Sequence, residues 1–331
     1  MSMLNYLPAS SSVFVTGGSG FLGRQLIQDL VTKGFQVKAL ARSDKAAATV
    51  KSLGAMPVRG DLDDIAAMAA GMAGCAAVIH SAAKVEQWGK WEDFEHMTVQ
   101  GSKNVIAATR QAGIKRLVHI STEAVLAGGS AIINADENTP LPSKPNGMYP
   151  LSKKLAEQAV LAANSGDLAA IIVRPRFIWG KGDTTLLPKL AEAARTGSWL
   201  WFDGGKHQMS TCHVRNVSQG VILAACHGRG GQIYFLTDGD QVNFRNFVTA
   251  LIRTQGVEPG NKVAPIWLAD AIAATSEMVW KILGLKGEPP ITKTAVNLFF
   301  KEVTINDSKA RNELGYVPVI SVEAGLAELK V

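Results

Sequence analysis

The segment Tyr149-Pro150-Leu151-Ser152-Lys153 places a phenol and an ammonium four residues apart, a spacing that puts both on one face of a helix. A phenol ordinarily ionises near ~10, and a nearby ammonium favours its phenolate form. The pair therefore reads as an acid/base group with its pKa drawn toward neutrality, able to give or take a proton at a substrate oxygen. The spacing alone arises often by chance. Its weight comes from a second signal, Thr16-Gly17-Gly18-Ser19-Gly20-Phe21-Leu22-Gly23, directly after the apolar run Val13-Phe14-Val15. Glycines 17, 20 and 23 suit a tight turn, a close approach to a pyrophosphate and helix packing; a register with 18, 20 and 23 also fits. Ser19, Phe21 and Leu22 fall inside the same turn and the start of the following helix, whose free N–H groups and positive dipole end face the phosphates. A dinucleotide cradle and a Tyr/Lys pair together imply transfer of a hydride and a proton between an alcohol and a ketone.

Further residues complete that constellation. A hydroxyl from a strand end is needed at the substrate oxygen, and Leu117-Ile120 runs into Ser121-Thr122; the pattern does not choose between the two. At the second strand end, about 20 residues past the glycine turn, an acid usually receives the ribose of NAD. Here Arg42-Ser43 stands. A guanidinium pairs with a 2′-phosphate, so NADP(H) is expected over NAD(H), with Asp44 as the residue that keeps NAD open. Asp61 and Leu62, after Gly60, fall where an adenine is met. Ser81, Ala82 and Ala83, after His80, are small enough to let the backbone approach a cofactor ribose.

These residues need a frame that brings strand ends together. Val13-Val15, Gln36-Ala41, Ala76-Ser81, Leu117-Ile120 and Ala169-Val173 are short apolar runs, and most are continuous rather than alternating, as in parallel strands covered on both faces. Between them lie amphipathic stretches such as Leu22, Leu26, Ile27 and Leu30. The expected fold is α/β, a Rossmann-type doubly wound parallel sheet with right-handed crossovers and a smaller, helix-rich C-terminal substrate-binding lobe. The expected boundaries are 1–180, with 213–245 returning to the sheet, for the dinucleotide-binding domain, and 181–212 and 246–331 for the lobe. Trp199-Leu200-Trp201-Phe202, Phe177 and the stretch holding Trp267 and Trp280 offer apolar, aromatic surface to a substrate. The Pro265–Leu285 segment reads as a packed or lid helix rather than a membrane-surface one.

Composition narrows the class. The 331 residues are 47% hydrophobic and carry a net charge of +6, enough for a sizeable core. The basic residues are scattered rather than clustered, so no nucleic acid is expected as partner. No apolar run approaches the ~20 residues of a membrane span, and Met1–Ser12 lacks a secretion-signal pattern; no stable membrane insertion is expected. Three cysteines, Cys75, Cys212 and Cys226, cannot all pair within one chain and suit a reducing, cytoplasmic location. The six histidines show no paired helical spacing, so no metal is expected.

In these motifs, and in Val99-Gln100-Gly101, Val173-Arg174-Pro175-Arg176-Phe177-Ile178-Trp179-Gly180, Tyr234-Phe235-Leu236-Thr237 and Leu314-Gly315-Tyr316, the chain resembles the extended short-chain dehydrogenase/reductases of the NAD-dependent epimerase/dehydratase superfamily, within them the 3β-hydroxysteroid dehydrogenase-like and dihydroflavonol-reductase-like branch. The resemblance spans about Val13 to Leu326. It implies that Tyr149 is the acid/base, that Lys153 lowers its pKa and holds the nicotinamide ribose, that Thr122 replaces the usual serine, that Pro175 and Ile178 contact the nicotinamide, and that Arg42 selects NADP. It also implies a homodimer through helices near Trp91–Gly113 and Tyr149–Asn164, which their apolar content permits. Thr98 and Arg215 depart from the family pattern. Sugar dehydratases read Thr-Asp-Glu where this chain reads Thr122-Glu123-Ala124. Glu123 is expected at a helix start or on the surface. The activity expected is NADPH-preferring interconversion of a ketone and a secondary alcohol on a largely apolar small molecule, steroid-like or a β-keto acid. The alternative is a nucleotide-sugar epimerase with tightly bound NAD, a diphosphate being held by basic residues such as Lys181, Lys189, Arg195, Lys206 and Arg215.

Overall fold

The structure, a computed structural model, describes residues 6–8 and 10–330; the expected outer limits at residues 1 and 331, and part of the Met1–Ser12 segment, lie outside the described residues. In chain order the framework is β1 (Ser12–Thr16), α1 (Phe21–Thr32), β2 (Gln36–Ala41), α2 (Asp44–Ser52), β3 (Met56–Arg59), α3 (Ile65–Met72), β4 (Ala77–His80), α4 (Gly101–Gln111), β5 (Arg116–Ile120), α5 (Met148–Ala162), β6 (Ala169–Pro175), α6 (Val214–His227) and β7 (Ile233–Leu236). A short helix at Trp91–Phe94 and a π-helical turn at Glu95–Gln100 lead directly into α4.

The seven strands form one parallel sheet in the order β7-β6-β5-β4-β1-β2-β3. Continuous apolar strands dictate this arrangement, because successive side chains point to opposite faces and both faces must be covered. Val13, Val15, Ile79 and Val118 pack with Leu26, Ile27 and Leu30 of α1 and Val217 and Val221 of α6. Phe14, Val78 and Leu117 pack on the other face with Met68 and Met72 of α3, Val105 of α4 and Val160 of α5. The order reverses between β1 and β4. In open sheets of this kind, ligands bind outside the carboxyl ends of the strands at such a switch point. The register Thr16–His80–His119 across β1, β4 and β5 aligns those ends.

The remaining chain builds a second, smaller core. Helices Leu186–Arg195 and Phe244–Arg253 enclose Trp179, Trp199, Trp201, Phe244 and Phe247, while Phe202 packs with Ala269, Ala273 and Val296. This corrects the expectation of an aromatic substrate surface. Trp199, Trp201 and Phe202 are buried, because a lobe of this size fills its own interior with its largest side chains. Trp267 remains largely exposed on a helix, Ile266–Leu283, that packs through Ala269 and Ala273. A small sheet, absent from the sequence reading, orders Val242–Asn243, Gln208–Met209, Val303–Ile305 and Ile132–Ala135. The chain then returns to the large sheet, where Ala310, Leu314 and Tyr316 join the core beside α6 and β7, and the Tyr316 hydroxyl donates to the Thr237 carbonyl at 2.7 Å. No helix among the described residues is long and apolar enough to cross a membrane.

Candidate functional site

The glycine turn leaves β1 at the switch point. Gly17 has φ +73°, and a Cβ there would lie 2.8 Å from the Ala82 amide nitrogen, so the turn after β1 and the Ser81-Ala82-Ala83 turn after β4 touch through bare backbone. A Cβ on Gly23 would collide with the Gly17 carbonyl oxygen. Gly18 is also tight, but against the core side chains of Ile27 and Val50. Register 17, 20 and 23 thus shapes the turn itself. Gly20 caps α1 without a side chain, so the first-turn N–H groups around Phe21, Leu22 and Gly23 keep no side-chain partner at that end. Such a cradle fits a pyrophosphate. Arg24 closes it from one side, donating to the Ser19 carbonyl at 3.3 Å and the Gly182 carbonyl at 2.8 Å.

Around the cradle stand the other expected residues. Arg42 and Ser43 are exposed after β2, where Ser43 Oγ caps α2 by accepting from the Ala46 amide at 3.2 Å. Asp44 is engaged by Arg59 at 3.1 Å in an exposed pair, and none of the ion pairs among the described residues takes up Arg42. Asp61 Oδ1 accepts from the Asp63 amide at 2.9 Å, and Leu62 packs beside Gly101 with its carbonyl held by Asn104. Pro175 ends β6 opposite Leu236. Ile178 is half-buried in a two-residue strand pairing with Cys212–His213. Between them Phe177 holds a left-handed φ of +45°, a conformation costing a non-glycine residue about 1–3 kcal/mol. Its ring is fixed against Phe299 and Phe247 at centroid distances of 5.5 and 6.0 Å.

The reacting groups come from the end of β5 and the start of α5. Thr122, rather than Ser121, is the hydroxyl that bears on the Tyr149 phenol, favouring its ionised form; the Ser121 hydroxyl is buried with no partner. Lys153 is buried one turn along α5. Its ammonium donates to the Ile120 carbonyl at 2.7 Å and lies 3.4 Å from His119 Nε2. Burial pushes Lys153 down to about 8, opposed by Glu157. Burial pushes the Tyr149 phenol above its ordinary value, with the Glu123 charge adding to this and the Thr122 hydrogen bond opposing it. The lowering by Lys153 that the spacing suggested is therefore reversed in the protein by itself. The amine is pinned to the strand, and the charge that acts on the phenol is a carboxylate.

Several residues of this region were not read from the sequence. Glu123 does open a short helical turn, Glu123–Leu126, but it is buried, not on the surface. It pairs with buried Arg176 at 2.9 Å. Glu157 continues the stripe of Tyr149 and Lys153 by another four residues and grips Arg174 of β6 through two bonds of 2.8 and 2.6 Å. His80 bridges Thr16 at 2.7 Å and Ser102 at 3.0 Å, and burial holds it down to about 3, so this polar spine beneath the cradle is neutral. His119 is a core residue, likewise kept neutral by burial. Thr98 is buried and accepts from the Lys84 amide at 3.1 Å. Among the basic residues considered for a diphosphate, Lys189, Arg195 and Arg215 are taken up by Glu288, Glu192 and Glu328.

Comparison with known proteins agrees with this geometry. Residues 14–266 match the model of the 3-beta hydroxysteroid dehydrogenase/isomerase family. The chain is 46% identical over 317 residues to 4-hydroxy-2-methyl-3-oxo-4-farnesyl-3,4-dihydroquinoline-1-oxide ketoreductase of Stigmatella aurantiaca, covering 96% of this chain and 95% of that protein. It is 37% identical to 2-alkyl-3-oxoalkanoate reductase of Stenotrophomonas maltophilia, covering 96% and 98%. The solved dTDP-glucose 4,6-dehydratase of Streptomyces venezuelae, with NAD bound, superposes with a TM-score of 0.75 at 22% identity over 96% of this chain and 95% of that one, a likeness of fold.

Proposed function

The chain belongs to the 3-beta hydroxysteroid dehydrogenase/isomerase family, within the extended short-chain dehydrogenase/reductases, and on that premise we propose that this NAD(P)-dependent oxidoreductase prefers NADPH and reduces a ketone on a largely apolar small molecule, with Tyr149 as the proton donor. The observation that carries the reading is the convergence, at the carboxyl edge of one sheet, of the bare-backbone cradle at Gly17, Gly20 and Gly23 with the Thr122–Tyr149 hydroxyl pair.

In this reading the pyrophosphate lies on the α1 N-terminus, Asp61, Leu62, Ser81, Ala82 and Ala83 line the adenosine and ribose side, and Pro175 and Ile178 the nicotinamide side. The bound nicotinamide supplies the hydride. Tyr149 gives its phenolic proton to the carbonyl oxygen, so that ketone, hydride and proton become a secondary alcohol. A phenol held protonated at neutral pH suits that direction. Thr122 orients the phenol, and Lys153 holds the ribose from its seat on the Ile120 carbonyl. Residues 181–212, and the part of 246–330 that does not return to the large sheet, form the substrate side. Two reductases among the relatives, both named for 3-oxo compounds, support a ketone with an alkyl or prenyl body.

The cofactor choice has its own test. Arg42→Ala removes the guanidinium that pairs with the 2′-phosphate. The KM for NADPH is expected to rise about 10- to 100-fold, the weight of a charge-assisted hydrogen bond, while that for NADH stays within about threefold. Steady-state kinetics with both cofactors on a panel of 3-oxo substrates measure this. Equal losses for both cofactors, or a wild-type preference for NADH, overturn the assignment. Purified protein retaining NAD through dialysis would instead favour the epimerase chemistry.

A further inference from the structure

We propose that the outward face of the helix Ile266–Leu283 docks on the surface of a bilayer containing anionic lipid, and that the protein draws its apolar substrate from there. The docking stands on the helix alone; the second clause rests on the apolar-ketone reading above.

A helix on the outside of a lobe shows polar residues to water, and one that is apolar on both sides is normally buried. This helix packs inward through Ala269 and Ala273, against Phe202 and Val296. Trp267, Ala271, Ala274, Met278 and Ile282 follow one another at steps of four, three, four and four residues, so they form one stripe. All five are exposed, Trp267 at 65%, Met278 at 56% and Ile282 at 72%. The stripe lies opposite the packed side and holds no polar residue. At its end Leu283 and Leu285 are exposed as well, the Leu285 amide being fixed on the Trp280 carbonyl after Gly284 closes the helix.

Charge and size select the occupant. Asp270 is paired with Lys301 at 3.5 Å, and Glu277 accepts from the Lys293 amide at 2.7 Å, so both acids of the helix are engaged. Lys281 and Lys286 are exposed toward its other end, and among the described residues no carboxylate pairs with either. An apolar stripe with a tryptophan at one end and free lysines at the other suits a helix lying in a membrane interface. Each lysine near an anionic surface adds attraction, and the net charge of +6 acts in the same direction. A second copy of the chain is a poorer fit. The 18 residues make a face about 27 Å long and about 10 Å wide, roughly 270 Å² against the ~800 Å² that each partner gives a stable dimer. The helix is not apolar enough to cross a membrane, so it lies on one.

The docked face is one helix away from the reaction centre. Val296 belongs to the helix Lys293–Phe299, whose Thr294 hydroxyl donates to the Asn146 carbonyl at 2.7 Å, just before α5 and Tyr149. A ketone with an alkyl or prenyl body partitions from water into lipid. Docking through this helix brings the substrate side of the protein to where such a ketone is concentrated.

The test is flotation of the full-length protein with vesicles of phosphatidylcholine, alone or mixed with phosphatidylglycerol. The wild type is expected to bind the mixed vesicles about tenfold more tightly than the neutral ones, and less tightly as salt is added. Met278→Ser/Ile282→Ser should weaken binding to the mixed vesicles by about tenfold or more, and Lys281→Glu/Lys286→Glu should abolish the preference for them. Both pairs of substitutions are on the exposed side, so turnover of a short, water-soluble ketone should stay within about threefold. For a long-chain ketone carried in the mixed vesicles, Met278→Ser/Ile282→Ser should raise KM about tenfold. Wild type that does not float, that floats equally with both vesicles, or that floats no better than Met278→Ser/Ile282→Ser overturns the docking. So does a dimer, measured by light scattering, that the same variant splits, since the face would then belong to a second copy. Lost docking with an unmoved KM overturns the delivery of substrate. Docking by a protein that turns over no ketone removes the enzymatic reading and leaves the docking.

Discussion

Tyr149→Phe is expected to lower kcat/KM for ketone reduction by about 10²- to 10⁴-fold, the range for loss of a general acid, while NADPH binds within about threefold of wild type. The substitution deletes one hydroxyl and leaves the ring, which packs beside the buried turn that includes Ala124, Val125 and Leu126. The fold should therefore survive, with a cost near the ~1 kcal/mol of one hydrogen bond. The glycine cradle and Arg42 contact neither that hydroxyl nor its partners, so affinity for the cofactor separates from turnover. Fluorescence titration with NADPH and initial rates on a reducible ketone make the comparison. Retained turnover would remove Tyr149 from the chemistry, and lost cofactor binding would mark the change as structural rather than catalytic.

The second large effect concerns stability. Glu157 and Arg174 are 1% and 2% exposed and joined by two short bonds. Arg174 also lies 5.3 Å over the Phe235 ring, with its remaining nitrogen unpartnered. Glu157→Ala leaves a guanidinium buried between α5 and β6 without its counter-charge, a situation costing about 3–5 kcal/mol. At about 2–4 °C per kcal/mol for a chain of this size class, the midpoint of thermal unfolding should drop by on the order of 10 °C. Glu157→Leu/Arg174→Met removes both charges and should recover much of the loss, since an apolar pair of similar volume often replaces a buried ion pair without penalty. Calorimetry of the three proteins decides it; a single variant as stable as wild type would show that the pair contributes no net stabilisation. There is a functional side as well. Glu157 is the group that raises Lys153 against the effect of burial, so its loss takes the amine further from its charged form.

These two predictions mark how far the sequence could be read. The glycine turn, Arg42, Tyr149 and Lys153 were legible because their chemistry depends on residue type and local spacing, and the strand ends were legible because parallel strands buried on both faces are continuously apolar. Glu157 stands at the next step of the same four-residue stripe, yet its meaning depends on Arg174, seventeen residues away across the sheet. Glu123 looked like a solvated carboxylate because charged side chains usually are, and its partner Arg176 is fifty-three residues distant. The choice of Thr122 over Ser121 needed the backbone direction at the end of β5. The Trp199–Phe202 run was misread for a related reason: an aromatic cluster marks a core or a contact surface with equal force until it is known what it packs against. The small sheet escaped notice because its strands are two to four residues long and come from four separate parts of the chain.

The packing of α1 against α6 carries a consequence for how the protein is made. Leu26, Ile27 and Leu30 of α1 are translated long before Val217 and Val221 of α6, with which they share a core. Until α6 has emerged, that face of the sheet lacks part of its cover, the kind of surface that chaperones bind and that favours aggregation. For this enzyme, the face beside the cofactor cradle closes only when chain translated much later has docked on it.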